Sequence, residues 1–348
     1  MSKIKTFILA TATLSGTIIG VGIFSLPYIA SQVGIVVMAG YFFILGFFVL
    51  LIHYLYADVA LATPDFLRLP GYAKLYLGNW ARSLALLSLA IGSFGSLLAY
   101  LIVGGEFLRN LFSDFLGGSV FFYTFLYFAL GALSILIGVK AIVRIEFWGL
   151  ILFLAALVFL FFKGMPLFRP ENLLAGNFNL QNIFLPIGPI IFSLWGATMI
   201  PEIEEILIGD KKSLKKVILI SILIAAVVYA LFTVFILGIS GRQTSEFGLT
   251  GLAGLLSQGV LRLGFLFGFL ATFTSFIIVG LYLKNMLYYD FKIPKISAWF
   301  LVSFIPIILF LAGLKDFINI IGFVGSITLV IEGILVLLMY KKIKRKIK

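Results

Sequence analysis

Apolar runs of about twenty residues recur along the whole 348-residue chain and constrain its fold more than any other feature. Hydrophobic residues make up 62% of the sequence and charged residues 11%, with a mean hydropathy of +1.19. No soluble domain needs so much apolar surface, so the pattern predicts an all-α polytopic membrane protein. The ten predicted membrane-spanning segments are approximately 6–32, 35–61, 82–111, 120–140, 146–163, 183–208, 216–240, 260–289, 296–313 and 317–340.

The basic residues are concentrated at one end of these segments. With a cytoplasmic N-terminus, all but six of the 26 fall in cytoplasmic loops or in the basic cytoplasmic tail 341–348. This bias follows the positive-inside rule and predicts both termini in the cytoplasm with an even number of spans. The net charge of +12 is then explained by contact of the tail with anionic lipid, and nucleic acid is not an expected partner. The six basic residues outside are Arg109, Lys163, Arg169, Arg242, Arg262 and Lys315.

Few side chains suited to catalysis or metal binding are present. Cysteine is absent, which excludes disulfides and thiolate ligands. The single histidine, His53, is expected to make a structural hydrogen bond in the second segment. Because no GxSxG or HExxH motif occurs, we predict that the protein is not an enzyme and has no cofactor besides a coupling ion. The absence of a targeting signal favours the plasma membrane of a prokaryote.

The first segment contains a stretch that cannot form an uninterrupted helix. Residues 15–28 read SGTIIGVGIFSLPY, in which three glycines weaken helix propagation and Pro27 lacks a backbone N–H. Unwound backbone at membrane depth is tolerated only where protein buries it or where it lines a cavity. Exposed N–H groups of such a break bind anions and its carbonyl groups bind cations. The stretch therefore predicts a binding site inside the membrane.

A second interruption occupies the corresponding position in the other half of the chain. Residues 192–202 read FSLWGATMIPE, and Pro201 follows Pro27 by 174 residues, half of 348. Since five segments per half is an odd number, the halves form inverted repeats, approximately 6–163 and 183–340. Helices 1 and 6 are then discontinuous and face each other near the midplane of the bilayer. The alternative is a pair of proline kinks in ordinary packed helices.

The first interruption also carries a family resemblance. The stretch from Gly16 to Pro27, GTIIGVGIFSLP, resembles the first helix of the amino acid–polyamine–organocation transporter superfamily. Within it, the stretch is most similar to amino acid/auxin permeases and to hydroxy and aromatic amino acid permeases. The resemblance extends to ATFTSF at 271–276 and, in topology, to the whole chain. It implies a single transporter domain, 1–348, with a leucine-transporter-like fold in a minimal five-plus-five form.

On this fold the first interruption is expected to bind the carboxylate of an amino acid. The amides at Gly20, Val21 and Gly22 are predicted to donate hydrogen bonds to it. The positive end of a half-helix beginning near Ile23 favours the negative charge. Tyr100, one of fourteen tyrosines, is a candidate hydroxyl donor to the same carboxylate.

The second interruption is expected to bind the ammonium group of the same amino acid. The candidate acceptors are the carbonyl groups of Phe192, Ser193 and Leu194. Trp195 is a candidate wall or gate that shields the substrate side chain from water, with core packing as the alternative. This arrangement recognises an amino acid without a charged side chain.

The resemblance also implies a sodium site made of five oxygens. They are the carbonyl oxygens of Gly16, Ile19 and Ala271 and the hydroxyl oxygens of Thr274 and Ser275. Both hydroxyl residues lie near one face of a helix with Ala271, three and four positions before them. The alternative is that the hydroxyls bond to the preceding helical turn. Proton-coupled relatives share such a pair, so the sequence leaves sodium or proton coupling open.

Acidic residues inside the spans are the candidates for proton coupling, because a charge buried in a membrane is costly. Glu332 lies well inside the tenth segment, and Glu202 follows Pro201 in the sixth. Glu202, Glu204 and Glu205 alternatively pair with the basic residues at 211–216. Plain ion pairing is the expectation for Glu204 and Glu205.

The leading functional prediction is a secondary active symporter that imports a neutral amino acid by alternating access. Segments 1, 2, 6 and 7 are expected to rock against the others. One alternative is a membrane sensor that binds an amino acid without transport, and another is a carrier of a different small organic cation or amine. Loop 241–259 is expected to be either a short helical lid or an ordinary amphipathic loop. The sequence identifies neither the amino acid nor the oligomeric state.

Overall fold

The computed structural model describes residues 3–138, 142–174 and 180–347, and these residues form no β-strand. The predicted all-α class is confirmed. Short 3₁₀ turns occur in several of the connections between the helices. The α-helices are α1 Lys3–Ile18, α2 Leu26–Val33, α3 Ile35–Leu61, α4 Leu69–Leu77, α5 Asn79–Leu116, α6 Val120–Ile137, α7 Ile142–Gly164, α8 Ile187–Leu194, α9 Ile200–Ile206, α10 Leu214–Ser240, α11 Gln258–Tyr289, α12 Lys295–Leu311 and α13 Phe317–Ile347.

The long helices have the length and composition of membrane spans. Among the described residues, seven helical stretches are long and apolar enough to cross a bilayer, or eight when the bent pair α1 and α2 counts as one. Their outward surfaces are apolar, as in α3, where Phe43 is 81% exposed and Phe47 60%. Such side chains are stable only against lipid. The protein is therefore a polytopic membrane protein, and the count of ten spans stays a prediction.

Two boundaries differ from those predicted. The interval 62–81 was expected to be a polar loop, but it contains α4, whose Tyr72 and Ala73 are buried. The predicted tail 341–348 is not a separate segment in the part of the chain described, because α13 continues through it to Ile347. No glycine or proline follows Gly333, so nothing in the sequence ends this helix.

The first predicted span contains two helices with a short turn between them. The first helix, α1, ends at Ile18, a 3₁₀ turn covers Val21–Phe24, and the second half-helix, α2, begins at Leu26. The two halves are bent by 50°. The expected start of the second half-helix near Ile23 was therefore wrong by three residues, because the 3₁₀ turn occupies that position.

The second predicted interruption separates α8, which ends at Leu194, from α9, which begins at Ile200. Pro27 and Pro201 occupy equivalent places, each being the second residue of the helix after its interruption. A proline is well accommodated there because the N–H groups of the first helical turn have no partner within the helix.

Helices from the two halves of the chain pack against each other. The longest helix, α5, packs against α4, α6, α11, α12 and α13, whereas α10 packs against α1, α2 and α3. Helix α8 approaches α13 closely, since a Cβ atom at Gly188 would overlap the backbone of Gly322. This contact brings the second interruption next to α13.

Ion pairs and one loop define the two ends of the bundle. At one end, which we call the terminal end, Lys211 pairs with Glu204 at 2.7 Å and Lys215 with Asp58 at 2.7 Å. At the other, the loop end, residues 241–257 form 3₁₀ turns and bury Leu249 and Leu252. This connection is a compact cap in which Gly248 packs against the carbonyl oxygen of Phe24, and it contains no α-helix.

Candidate substrate and cation sites

A cavity of about 320 Å³ lies between the two interrupted helices. It brings together residues that the sequence predicts separately for the two breaks. Leu194 is the exception, because its side chain is fully buried in the core and does not line the cavity. The predicted residues that do line it are Gly20, Val21, Gly22, Tyr100, Phe192, Ser193, Trp195, Glu202 and Glu332.

The first interruption leaves backbone donors without an acceptor. The N–H groups of Val21 and Gly22 have no hydrogen-bond acceptor among the described residues. The N–H of Gly20, predicted to be available as well, instead donates to the carbonyl oxygen of Ile18 at 2.8 Å. Two of the three predicted donors are thus available to an anion in the cavity.

In the second interruption, His53 frees a backbone acceptor. In a continuous helix the N–H of Gly196 would donate to the carbonyl oxygen of Phe192, four residues earlier. It donates instead to Nε2 of His53 at 3.0 Å, while Nδ1 of His53 donates to the carbonyl oxygen of Val49 at 2.7 Å. The structural hydrogen bond expected for His53 is present. The carbonyl group of Phe192 is left as the acceptor that faces the cavity.

A tyrosine that the sequence reasoning missed joins the two interruptions. The hydroxyl oxygen of Tyr229 lies 2.6 Å from the carbonyl oxygen of Ile18 and 2.8 Å from that of Ser193. One predicted acceptor, Ser193, is therefore already engaged. Tyr229 is buried in α10, and no spacing pattern distinguishes it from the other thirteen tyrosines.

Both glycines of the first interruption face side chains at close range. A Cβ atom at Gly20 would lie 2.7 Å from the hydroxyl oxygen of Tyr100, and one at Gly22 would overlap the side chain of Ser193. Glycine is required at position 22, because a Cβ atom there would also crowd the backbone of Ser193, whereas at position 20 the hydroxyl end of Tyr100 would have to shift. The two breaks and Tyr100 consequently surround the same part of the cavity.

A buried carboxylate on α13 is hydrogen-bonded beside the second interruption. Glu332 is 3% exposed, and its Oε2 accepts a hydrogen bond from Nε1 of Trp195 at 3.0 Å. Its Oε1 accepts another from Oγ of Ser88 at 3.2 Å. The ring of Trp195 also meets His53 edge to face, with centroids 5.3 Å apart. Trp195 is thus held as one wall of the cavity, and its role in shielding a substrate stays a prediction.

An ion pair borders the cavity toward the terminal end. Nε of Arg68 lies 2.9 Å from Oε1 of Glu202, and the guanidinium carbon lies 5.9 Å from the ring centroid of Tyr282. All three side chains line the cavity. Glu202 therefore pairs with Arg68, which the sequence reasoning missed, and not with the basic residues at 211–216. Burial and Glu202 act in opposite directions on the Arg68 guanidinium, and the net effect raises its pKa.

The loop end of the cavity is closed by aromatic side chains. Phe24 is the last residue of the 3₁₀ turn in the first interruption and is 1% exposed. Its ring contacts Phe107 at a centroid distance of 4.8 Å and Phe232 at 5.9 Å, both edge to face. The cap 241–257 packs on Phe24, whereas Arg68, Glu202 and Asn285 line the cavity toward the terminal end.

The five residues of the predicted sodium site surround a second, smaller cavity of about 30 Å³. The cavity is shared by α1, α7 and α11. Gly16 contributes a free carbonyl oxygen because the N–H of Gly20, its partner in a continuous helix, donates to Ile18. The residues that line this small cavity are Gly16, Ile19, Gly149, Phe153, Ala271, Thr274, Ser275 and Ile278.

The alternative proposed for the hydroxyls is also observed for one of them. Oγ1 of Thr274 donates to the carbonyl oxygens of Leu270 and Ala271 at 3.0 and 3.1 Å. This bond to the preceding turn uses the hydrogen atom of the hydroxyl but leaves its oxygen lone pairs. A monovalent cation and the bond to the helix are therefore compatible at Thr274.

Solved structures with the same fold are membrane transporters. The nucleobase-cation-symport-1 family transporter Mhp1, closed with bromovinylhydantoin bound, matches with a TM-score of 0.67 and 13% identity over 94% of this chain and 76% of its own. The inward-facing form of Mhp1 matches with a TM-score of 0.68 and 14% identity, over 95% of this chain and 75% of its own. MhsT in complex with L-phenylalanine matches with a TM-score of 0.62 and 18% identity, over 95% of this chain and 87% of its own. These likenesses show that the chain has the leucine-transporter-like fold.

The family model of the tryptophan/tyrosine permease family matches residues 3–348, and the chain belongs to this family. Tyrosine-specific transport system 1 of Haemophilus influenzae is 25% identical, over 91% of this chain and 83% of its own length. The predicted relationship to aromatic amino acid permeases is confirmed at the level of the family. The protein is an amino-acid transporter and not an enzyme.

Proposed function

We propose that this protein is a secondary active symporter that imports a neutral aromatic amino acid by alternating access. One observation carries the proposal: unpaired backbone donors and an unpaired backbone acceptor from two broken helices meet at one cavity. The N–H groups of Val21 and Gly22 suit a carboxylate, and the carbonyl oxygen of Phe192 suits an ammonium group. Among the charged side chains that line the cavity, Arg68 and Glu202 neutralise each other, and Glu332 is hydrogen-bonded.

The dimensions and lining of the cavity support an aromatic substrate. A volume of about 320 Å³ accommodates a ring, and the flat face of Trp195 and the missing side chain of Gly92 provide surfaces for it. Membership of the tryptophan/tyrosine permease family supports the same substrate class.

Sodium is the coupling ion that we propose first. The five oxygens around the small cavity include no carboxylate, which suits a monovalent cation better than a divalent one. The small cavity adjoins the substrate cavity, since Ile278 lines both. An ion there would order the carbonyl groups of Gly16 and Ile19 and thereby the first interruption, which links ion binding to substrate binding.

Proton coupling is the second candidate, and a specific contact favours it. Glu332 is buried, lines the substrate cavity and holds Trp195 through a single hydrogen bond. Protonation would change that carboxylate from a double acceptor into a group with a hydrogen to donate. A proton gradient would then act through the cavity wall.

The direction of import rests on the charge distribution. The distribution of the basic residues supports a cytoplasmic position for the terminal end and for both chain termini. The cavity reaches toward that end and is closed at the loop end, so we describe this state as facing the cytoplasm. Rocking of α1, α2, α3, α8, α9 and α10 against the other helices would expose it on the outside.

Uptake of labelled amino acids into proteoliposomes, with sodium and pH gradients imposed separately, tests the proposal. Sodium-driven accumulation that is lost in Thr274→Ala with Ser275→Ala supports the five-oxygen site. Proton-driven accumulation that is lost in Glu332→Gln supports the second candidate. Binding without accumulation under either gradient contradicts symport and indicates the sensor that the sequence left open.

A further inference from the structure

Three hydroxyl groups on α5 and α13 line the substrate cavity. Ser93 and Ser96 lie three positions apart on α5, and Thr328 lies on α13. Ser93 is 9% exposed and Thr328 is 7% exposed, so both are nine-tenths buried inside a membrane protein. The backbone of Gly92 lies against Thr328, since a Cβ atom there would be 3.8 Å from Oγ1 of Thr328.

None of these three hydroxyls has a hydrogen-bond partner among the described residues, whereas the hydroxyl of Ser88 on α5 bonds to Glu332. Serine and threonine in membrane helices commonly donate to the carbonyl group of the preceding turn. Ser326, also on α13, does so, with its Oγ 2.8 Å from the carbonyl oxygen of Gly322. A buried hydroxyl without a partner is costly, and its cost is removed when a ligand supplies the partner.

The spacing along α5 relates the hydroxyls to the carboxylate end of the cavity. Tyr100, beside Gly20, lies four residues after Ser96 and seven after Ser93. At 1.5 Å per residue, these intervals correspond to roughly 6 and 10 Å along the helix axis. A tyrosine whose carboxylate is held near Gly20 and whose ring points along α5 toward Ser93 is long enough to bring its phenol group to the level of these hydroxyls.

We infer that Ser93, Ser96 and Thr328 form a polar subsite that hydrogen-bonds the phenol hydroxyl of the substrate ring and thereby selects tyrosine over phenylalanine. This inference rests on the proposed function, because it assumes that an aromatic amino acid binds in this cavity. The ring lies over Gly92, and its phenol hydroxyl exchanges hydrogen bonds with Ser93 and Thr328. Phenylalanine fits the same space but leaves both hydroxyls unpaired.

Competition between tyrosine and phenylalanine for uptake into proteoliposomes tests the subsite. The variants are Ser93→Ala and Thr328→Val, which remove a hydroxyl at nearly constant shape. We expect each to lower the ratio of kcat/KM for tyrosine to that for phenylalanine by about fivefold, with the value for phenylalanine unchanged. The conservative Thr328→Ser variant is expected to retain the wild-type ratio.

Ser326→Ala is the matched control, because its hydroxyl is on the same helix but bonds to its own turn. An unchanged ratio in Ser93→Ala and Thr328→Val overturns the subsite, and so does an equal fall for both amino acids. If the wild-type protein neither binds nor transports any aromatic amino acid, the proposed function itself fails. Wild-type uptake with an unaltered ratio in the variants rejects the subsite alone.

Discussion

The two helix interruptions expose opposite backbone groups, and different residues maintain each one. In the first, the backbone itself turns: the N–H of Gly20 donates to Ile18, which leaves the N–H groups of Val21 and Gly22 as donors. In the second, His53 takes the N–H of Gly196 and so leaves the carbonyl group of Phe192 as an acceptor. The first break therefore depends on glycine, whereas the second depends on a side chain from another helix.

This difference explains how an apolar bundle can bind a zwitterion. Donors at one break and an acceptor at the other match the carboxylate and the ammonium group of an amino acid. Tyr229 fixes the two breaks relative to each other through the carbonyl groups of Ile18 and Ser193. The comparison can be tested by changing each break separately.

The largest effect is expected at the first break. Replacing Gly22 by alanine places a methyl group on the side chain of Ser193 and displaces the N–H donors. We expect uptake to fall at least about a hundredfold, because hydrogen bonds to a charged carboxylate are among the strong ones. Gly40→Ala is the control, since a Cβ atom there meets nothing within 4 Å. Near-normal uptake by a folded Gly22→Ala protein would contradict the assigned role of this break.

A change at the second break is expected mainly to lower the free energy of unfolding. His53→Ala leaves the N–H of Gly196 buried without an acceptor, at a cost of about 1–3 kcal/mol. Thermal unfolding in detergent measures this loss, and His53→Gln, which retains an acceptor, should recover part of it. If His53→Ala unfolds at the wild-type temperature, the second break does not depend on this side chain.

A smaller effect, on access to the cavity, is expected at the Arg68–Glu202 ion pair, which lies between the second break and the terminal end. Arg68→Gln removes the partner of Glu202 and opens the border of the cavity. Since the chain lacks cysteine, Asn285→Cys provides a unique label inside the cavity. We expect labelling to be about threefold faster in Arg68→Gln, because a partly exposed ion pair contributes little. Lys74→Gln is the exposed control, and equal labelling rates in all backgrounds would show that the pair does not restrict access.

The smallest effect concerns the cap at the loop end, over the first break. Burial and the nearby charge of Asp316 raise the pKa of Glu246, which also faces Tyr28. A carboxyl group whose pKa is raised by folding favours the folded cap at low pH, and that stability falls as the pH rises through its pKa. After correction for the intrinsic pH dependence of exchange, hydrogen exchange at Leu249–Leu252 should therefore be about twofold slower at pH 5 than at pH 7.5. Glu246→Gln should remove this difference between the two pH values. If the difference persists in the variant, another group causes it.

The sequence was sufficient for the features set by the chain itself. Glycine and proline mark the breaks because they act on local backbone. The motif resemblance selects five residues that line one small cavity, and their role in binding sodium stays a prediction. Contacts between distant segments were not predictable in the same way. Nothing near Arg68, Ser88 or Tyr229 in the sequence indicates that they meet Glu202, Glu332 or Ser193, because these pairs depend on tertiary packing. The engagement of the Gly20 amide also required the backbone geometry.

The central claim is that the two breaks hold the carboxylate and the ammonium group of one substrate. The most direct test measures competition with labelled tyrosine uptake by tyrosine, by tyramine, which lacks the carboxylate, and by 3-(4-hydroxyphenyl)propionate, which lacks the amine. The account predicts that only tyrosine competes well and that each analogue is weaker by about a hundredfold or more. Equal competition by tyramine would contradict it and would indicate a carrier of organic amines.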